Sequence, residues 1–166
     1  MDVMVARSFD NLKSNWIVKE TPHTISTDMF SFSSNKNGRD LADMVIRIVA
    51  SIFARSESKE LVGKIMKKLL QLWCASSDKL ELDIGNCEGL DVMEPAHFLP
   101  IPFSNRRQYF KPLDFEDWKK KKIYTYHTWE LYTKYHAFNE DSLYGSIARE
   151  YCPYVYQFYG NKFGNP

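Results

Sequence analysis

Apolar positions recur with helical spacing between residues 40 and 75. Leu41, Met44, Val45, Ile48, Ile52 and Phe53 follow Asp40, whose carboxylate is placed to accept a free N–H of a first turn. Leu61, Val62, Ile65, Met66, Leu69, Leu72 and Trp73 repeat the pattern, with Lys59, Lys64, Lys67, Lys68 and Gln71 on the opposite face. Ser56 or Ser58 can cap the second stretch, with Glu57 and Glu60 near its positive end. The pattern predicts an αα-hairpin spanning 40–55 and 59–75 rather than one kinked helix.

Elsewhere the pattern changes. Leu80, Leu82 and Ile84 alternate with Glu81 and Asp83, which predicts a half-buried strand over 79–85. Residues 12–18 suit a short helix or strand. Thr24–Phe32 alternates enough for one short strand inside the Ser-, Thr- and Asn-rich stretch 21–38. Pro95, Pro100, Pro102 and Pro112 remove backbone donors and push their neighbours toward extended conformations, so 95–112 reads as an extended arm. The β-branched and aromatic run 122–129 predicts a strand that turns helical after Thr128. Asp141 or Ser142 then caps a short helix through Leu143, Ile147 and Tyr151, ending near Pro153, and 151–159 has room for one further strand.

The expected architecture is α+β, a single domain over 1–166. Residues 1–38 are poorly structured, 39–94 form the helical core and a strand, and 95–166 form the arm, a strand and a short helix. The two helices pack on a small, mostly antiparallel sheet that includes 79–85 and part of 122–135.

Composition divides the chain differently. All ten tyrosines lie after residue 108, and residues 1–95 hold only Phe9, Trp16, Phe30, Phe32, Phe53 and Trp73 among the aromatics. The net charge is +1, which lacks the strong basic bias of a dedicated nucleic-acid binder. The longest mostly apolar run, Leu41–Ala54, is broken by Asp43 and Arg47, so no membrane span is expected. Three scattered cysteines, Cys74, Cys87 and Cys152, argue against a disulfide framework. Without a visible signal segment, they point to an intracellular, cytoplasmic protein.

Catalytic spacing is sparse. Asn86-Cys87-Glu88 lies between Gly85 and Gly89, where a thiol can be exposed. The tripeptide is similar to the Asn-Cys-Glu of the H-NC acyltransferase branch of the NlpC/P60-like family, a resemblance of three residues. It implies a Cys87 nucleophile, with His23 as the upstream base. Cys74, Cys87, His97, His127, His136 and Cys152 show no close ligand pair, so no metal site is expected. Glu81 and Asp83 share one strand face, which is the solvent side of that strand. No glycine-rich phosphate loop is present, and no cofactor or small-molecule site is expected.

One constellation remains. Arg106, Arg107, Lys111, Lys119, Lys120, Lys121 and Lys122 interleave with Tyr109, Phe110, Phe115, Trp118, Tyr124 and Tyr126. Aromatics with arginine are what protein interfaces enrich, so Phe98, Phe103, Arg106, Arg107, Tyr109, Phe110 and Trp118 form an expected interface. The leading expectation is a non-enzymatic interaction protein, an accessory or structural subunit of an intracellular or viral assembly, with a protein partner or self-association. An RNA-binding protein using the seven cations is the alternative. A Cys87-dependent hydrolase or acyltransferase is the third.

Overall fold

The computed structural model describes residues 2–21, 24–54, 61–74, 87, 89–133, 135–137 and 139–159. In chain order the elements are β1 (Val3–Val5), β2 (Trp16–Thr21), β3 (Thr24–Ser31), α1 (Lys36–Phe53), α2 (Leu61–Trp73) and β4 (Asp91–Met93). A 3-10 turn (Pro95–His97) and a 3-10 helix (Phe103–Phe110) follow, then α3 (Phe115–Lys119), β5 (Thr125–His127), α4 (Glu130–Thr133), α5 (Leu143–Tyr151) and α6 (Pro153–Tyr159). The fold is α+β, with a small and mostly antiparallel set of strands. The chain divides into two compact units, Asp10–Pro95 and a discontinuous one built from Met1–Phe9 and Ala96–Pro166.

In the unit Asp10–Pro95, the sheet order is β3-β2-β4, with β2 antiparallel to β3 and parallel to β4. Central β2 is buried on both faces: Ile17 and Val18 are each inaccessible to solvent. A strand buried on both faces reads as a continuous apolar run rather than an alternation. Helix α1 packs on α2, and α2 packs on β3. Leu41 and Ile48 of α1 and Ile65, Leu69 and Leu70 of α2 meet Ile17, Ile25 and Leu90 in one core. Truncating a fully buried leucine here, such as Leu69, costs about 2–5 kcal/mol. Buried Asn15 ties the unit together. Its side-chain oxygen accepts from the Ser33 N–H at 2.8 Å and the Ser33 hydroxyl at 3.0 Å, and its amide donates to the Gly89 carbonyl at 3.0 Å. Gly89 itself takes φ +74°, a conformation that L side chains rarely adopt, and a Cβ there would sit 2.8 Å from Asn37 Nδ2.

The second unit is organised by a two-stranded antiparallel pairing of β1 with β5, in register Val3 to His127 and Val5 to Thr125. Its interior holds Met4, Phe98, Leu99, Ile101, Tyr109, Ile123, Tyr126, Leu143, Ile147 and Ala148. Of the two expected caps, Asp141 and Ser142, it is Ser142 whose hydroxyl accepts from the Gly145 N–H at 3.1 Å and caps α5.

Several expectations are corrected. Residues 1–38 are not poorly structured, since β1, β2 and β3 lie there. Helix α1 begins at Lys36, capped by Asn35 accepting from the Gly38 N–H at 2.9 Å, so Asp40 lies inside the helix. The helices' sheet is β3-β2-β4, whereas β5 pairs with β1 in the other unit. The stretch 95–112 is not an extended arm: Pro102 (φ −67°) precedes the 3-10 helix at a position where a missing N–H costs nothing. The tail forms helix α6 rather than a strand, with Pro153 at its first position. The strand expected over 79–85 and the caps Ser56 and Ser58 lie outside the described residues. Among the described residues, no helix is long and apolar enough to cross a membrane.

Candidate functional site

Strand β5 ends at His127, and the chain then bends through Thr128 and Trp129 into α4. Trp129 adopts φ +58°, the only positive φ among the described non-glycine residues. A bulky side chain in that region costs about 1–3 kcal/mol and persists only where its surroundings hold it. Those surroundings are dense. The Trp129 N–H donates to His127 Nδ1 at 3.2 Å, and its indole Nε1 donates to the Ile101 carbonyl at 3.2 Å. Thr133 Oγ1 donates to the carbonyls of Thr128 (2.8 Å) and Trp129 (3.1 Å).

Residue 2 completes the clamp. The Asp2 carbonyl accepts from the Thr128 N–H at 2.7 Å and from its hydroxyl at 3.1 Å, and one carboxylate oxygen accepts from the Glu130 N–H at 2.8 Å. The β1–β5 register delivers Asp2 there. With Nδ1 accepting, the neutral imidazole carries its proton on Nε2, which faces the other Asp2 oxygen at 3.6 Å. His127 is 3% exposed.

Outward from His127 the rings form a graded series. His127 and Trp129 have centroids 4.0 Å apart. Phe103 meets Trp129 edge-on at 5.5 Å and Tyr132 edge-on at 4.8 Å. The Arg106 guanidinium lies 4.2 Å above the Phe103 ring and 5.7 Å from the Tyr132 centroid. Trp129 is 9% exposed, Phe103 37% and Tyr132 55%, so the series runs from interior to solvent.

The residues expected at an interface separate. Phe98 and Tyr109 are buried within this unit and pack its own core. Phe103, Arg106 and Arg107 share the 3-10 helix beside Trp129. Phe110 stacks on His136 (5.1 Å) and Tyr144 (5.8 Å), and Trp118 tilts against Tyr126 at 6.3 Å. The lysine run is largely engaged by its own unit. Lys119 pairs with Glu116 (3.1 Å) and Glu150 (3.2 Å), and Lys120 with Asp117 (2.7 Å), while Lys121 lies 4.0 Å over Trp118. Hydrogen bonds to Glu116 and Glu150 push the Lys119 pKa up. Lys111 and Lys122 are exposed.

Cys87 is no nucleophile. It forms a disulfide with Cys74 (Cα–Cα 4.8 Å), which removes the thiol that the three-residue resemblance required and corrects the expectation of disulfide-free cysteines. Its supposed base, His23, lies outside the described residues, as do Asn86, Glu88, Glu81 and Asp83. Among the described residues no cluster of three metal-ligating side chains occurs. The strand expected over 122–129, turning helical after Thr128, does not single out His127, Trp129 or Tyr132 as site residues.

Residues 34–159, well over half of the chain, match the family described as "Alpha 1,4-glycosyltransferase conserved region". No curated protein and no solved structure matches. The family match points to an enzyme, and so overturns the expected non-enzymatic accessory or structural subunit and its viral-assembly variant. The RNA-binding alternative gains nothing from the match, and most of its lysine run is engaged by neighbouring side chains.

Proposed function

The chain belongs to the alpha 1,4-glycosyltransferase conserved-region family, and on that premise we propose that it serves an enzyme that moves a sugar from an activated donor to a hydroxyl of a carbohydrate acceptor. The carrying observation is that the matched stretch 34–159 encloses the whole ring series from Phe103 to Tyr132. In such a transfer the acceptor oxygen bonds to the anomeric carbon, the bond to the leaving group breaks, and the acceptor proton is released. Tyr132, the open ring of the rim, holds a sugar ring by its apolar face, with Phe103 and Trp129 packed behind it. His127 is a positioning residue: it takes the Trp129 N–H and packs under the indole. Asp2 fixes the turn that presents both.

The same reading revises the compartment. Disulfides persist where the surroundings are oxidising, so the Cys74–Cys87 bond supports an oxidising compartment over the cytoplasm. Of the apolar residues expected at a protein interface, Phe103 joins the ring series of this reading.

The test is a transfer assay on the full-length protein. Nucleotide-activated hexoses are offered with a panel of disaccharide acceptors, products are found by mass, and their linkage is read by two-dimensional NMR. One added hexose in an α-1,4 linkage is expected. A folded full-length protein that extends no acceptor with any donor would overturn the reading.

A further inference from the structure

The ring series ends in the Arg106 guanidinium, which has no carboxylate within ion-pair distance among the described residues. Among the described residues, Lys13, Lys19, Lys119 and Lys120 each have a carboxylate between 2.7 and 3.2 Å away. Arg106 has none. One of its donors, Nη1, reaches the Phe103 carbonyl at 3.0 Å, and no other described residue accepts from the guanidinium. Arg107 beside it is exposed and also lacks a carboxylate partner among the described residues.

Stacking fixes the guanidinium without using its hydrogen-bonding edge. Lying 4.2 Å above Phe103, it covers that ring's face and leaves its remaining N–H groups for a ligand. Tyr132 is left as the open aromatic surface, 55% exposed. A guanidinium held flat in this way loses little freedom on binding, and its fork matches a carboxylate in two parallel hydrogen bonds. The guanidinium carbon lies 5.7 Å from the Tyr132 centroid, so Arg106 stands beside any ring stacked on Tyr132. A sugar ring stacked on Tyr132 therefore brings its acid group to Arg106.

Resting on the transferase reading above, we propose that this rim is an acceptor subsite selective for an acidic glycan, in which a carboxylate-bearing sugar stacks on Tyr132 and pairs with Arg106. The guanidinium fork suits a carboxylate or a phosphate. The surface beside it favours the acidic sugar over the phosphates of a donor, being aromatic, with Tyr132 open for stacking, rather than a loop of backbone N–H groups.

The experiment measures binding to the full-length protein by titration calorimetry and saturation-transfer NMR, with no donor present. The probes are a glucuronic-acid-terminated disaccharide, its glucose-terminated counterpart, and a nucleoside diphosphate. The acidic disaccharide is expected to bind about tenfold more tightly than the neutral one, the size of one charge-assisted contact at an open site. That difference should shrink as salt rises and vanish in Arg106→Gln. Arg106→Lys, which keeps charge but loses the fork, should retain only part of it. Tyr132→Ala should abolish saturation transfer to the sugar ring. Equal affinity for the two disaccharides, or displacement of the acidic one by nucleoside diphosphate, would overturn the proposal. Transfer to neutral acceptors, measured in parallel, keeps the outcomes separate: activity without acidic preference removes the subsite alone, and acidic preference without activity removes the transferase reading alone.

Discussion

Tyr109 is fully buried, and its hydroxyl finds no hydrogen-bond partner among the described residues. Burial, with Tyr126 nearby, pushes its pKa well above the ordinary value. A buried polar group without a partner costs about 1–3 kcal/mol, so removing the hydroxyl relieves a penalty. Tyr109→Phe is therefore expected to stabilise the protein by about 1 kcal/mol, raising Tm by about 2–4 °C in thermal unfolding. A lower Tm would mean that the hydroxyl does have an acceptor. At this scale, some positions were readable and others were not. A cap at Asp141 or Ser142 announced itself because an apolar repeat follows it. Asp40 misled because Asn35, five residues earlier, reaches a free N–H first. Trp129 gave no local sign at all. Its left-handed backbone is imposed by Asp2, His127 and Thr133 through hydrogen bonds, and no sequence rule places a tryptophan there.

The elements whose apolar face repeats every three or four residues were legible: α1, α2 and α5 follow the spacing of Leu41–Ile48, Ile65–Leu69 and Leu143–Ile147. Elements defined by proline were not. Pro102 and Pro153 open helical turns, where the same locked φ that breaks a helix interior is already suited. The disulfide was also invisible, since its partners stand 13 residues apart with no pairing motif. Closing a loop of that size restricts the unfolded chain and contributes about 3 kcal/mol. The Cys74→Ala/Cys87→Ala double variant should lose stability of that order in denaturant unfolding. Thiol titration of the unfolded wild type, without reductant, should find one free thiol, Cys152. Three titrating thiols would contradict the disulfide.

On the scale of the whole molecule, the candidate site gathers residue 2, residues 101–106 and residues 127–133 through the pairing of β1 with β5. Contacts spanning more than 120 positions leave no periodic trace, which is why the second half looked like surface rather than a site. The tyrosine concentration has a structural consequence of its own. Burial raises the pKa of Tyr109 and Tyr126 above the ordinary 10.0, so the folded protein holds protons that the unfolded chain releases. Their contribution is complete below that pH and is lost as pH rises through it, because the unfolded state then binds fewer protons. Stability should be flat with respect to these groups up to about pH 9 and fall above 10, and Tyr126→Phe should make the fall shallower. A Tm profile with no alkaline decline beyond that of the variant would contradict this.

The central claim is that a glycosyltransferase family's site is organised around the strained Trp129. Its most direct test is hexose transfer by full-length wild type and by Trp129→Ala, with folding of both verified by circular dichroism. The account predicts α-1,4-linked product from the wild type and a loss of about 100-fold or more in the variant, as expected when the packing that positions the sugar-contacting surface is removed. Equal transfer by the two proteins, or none by the wild type with any donor and acceptor, would contradict it.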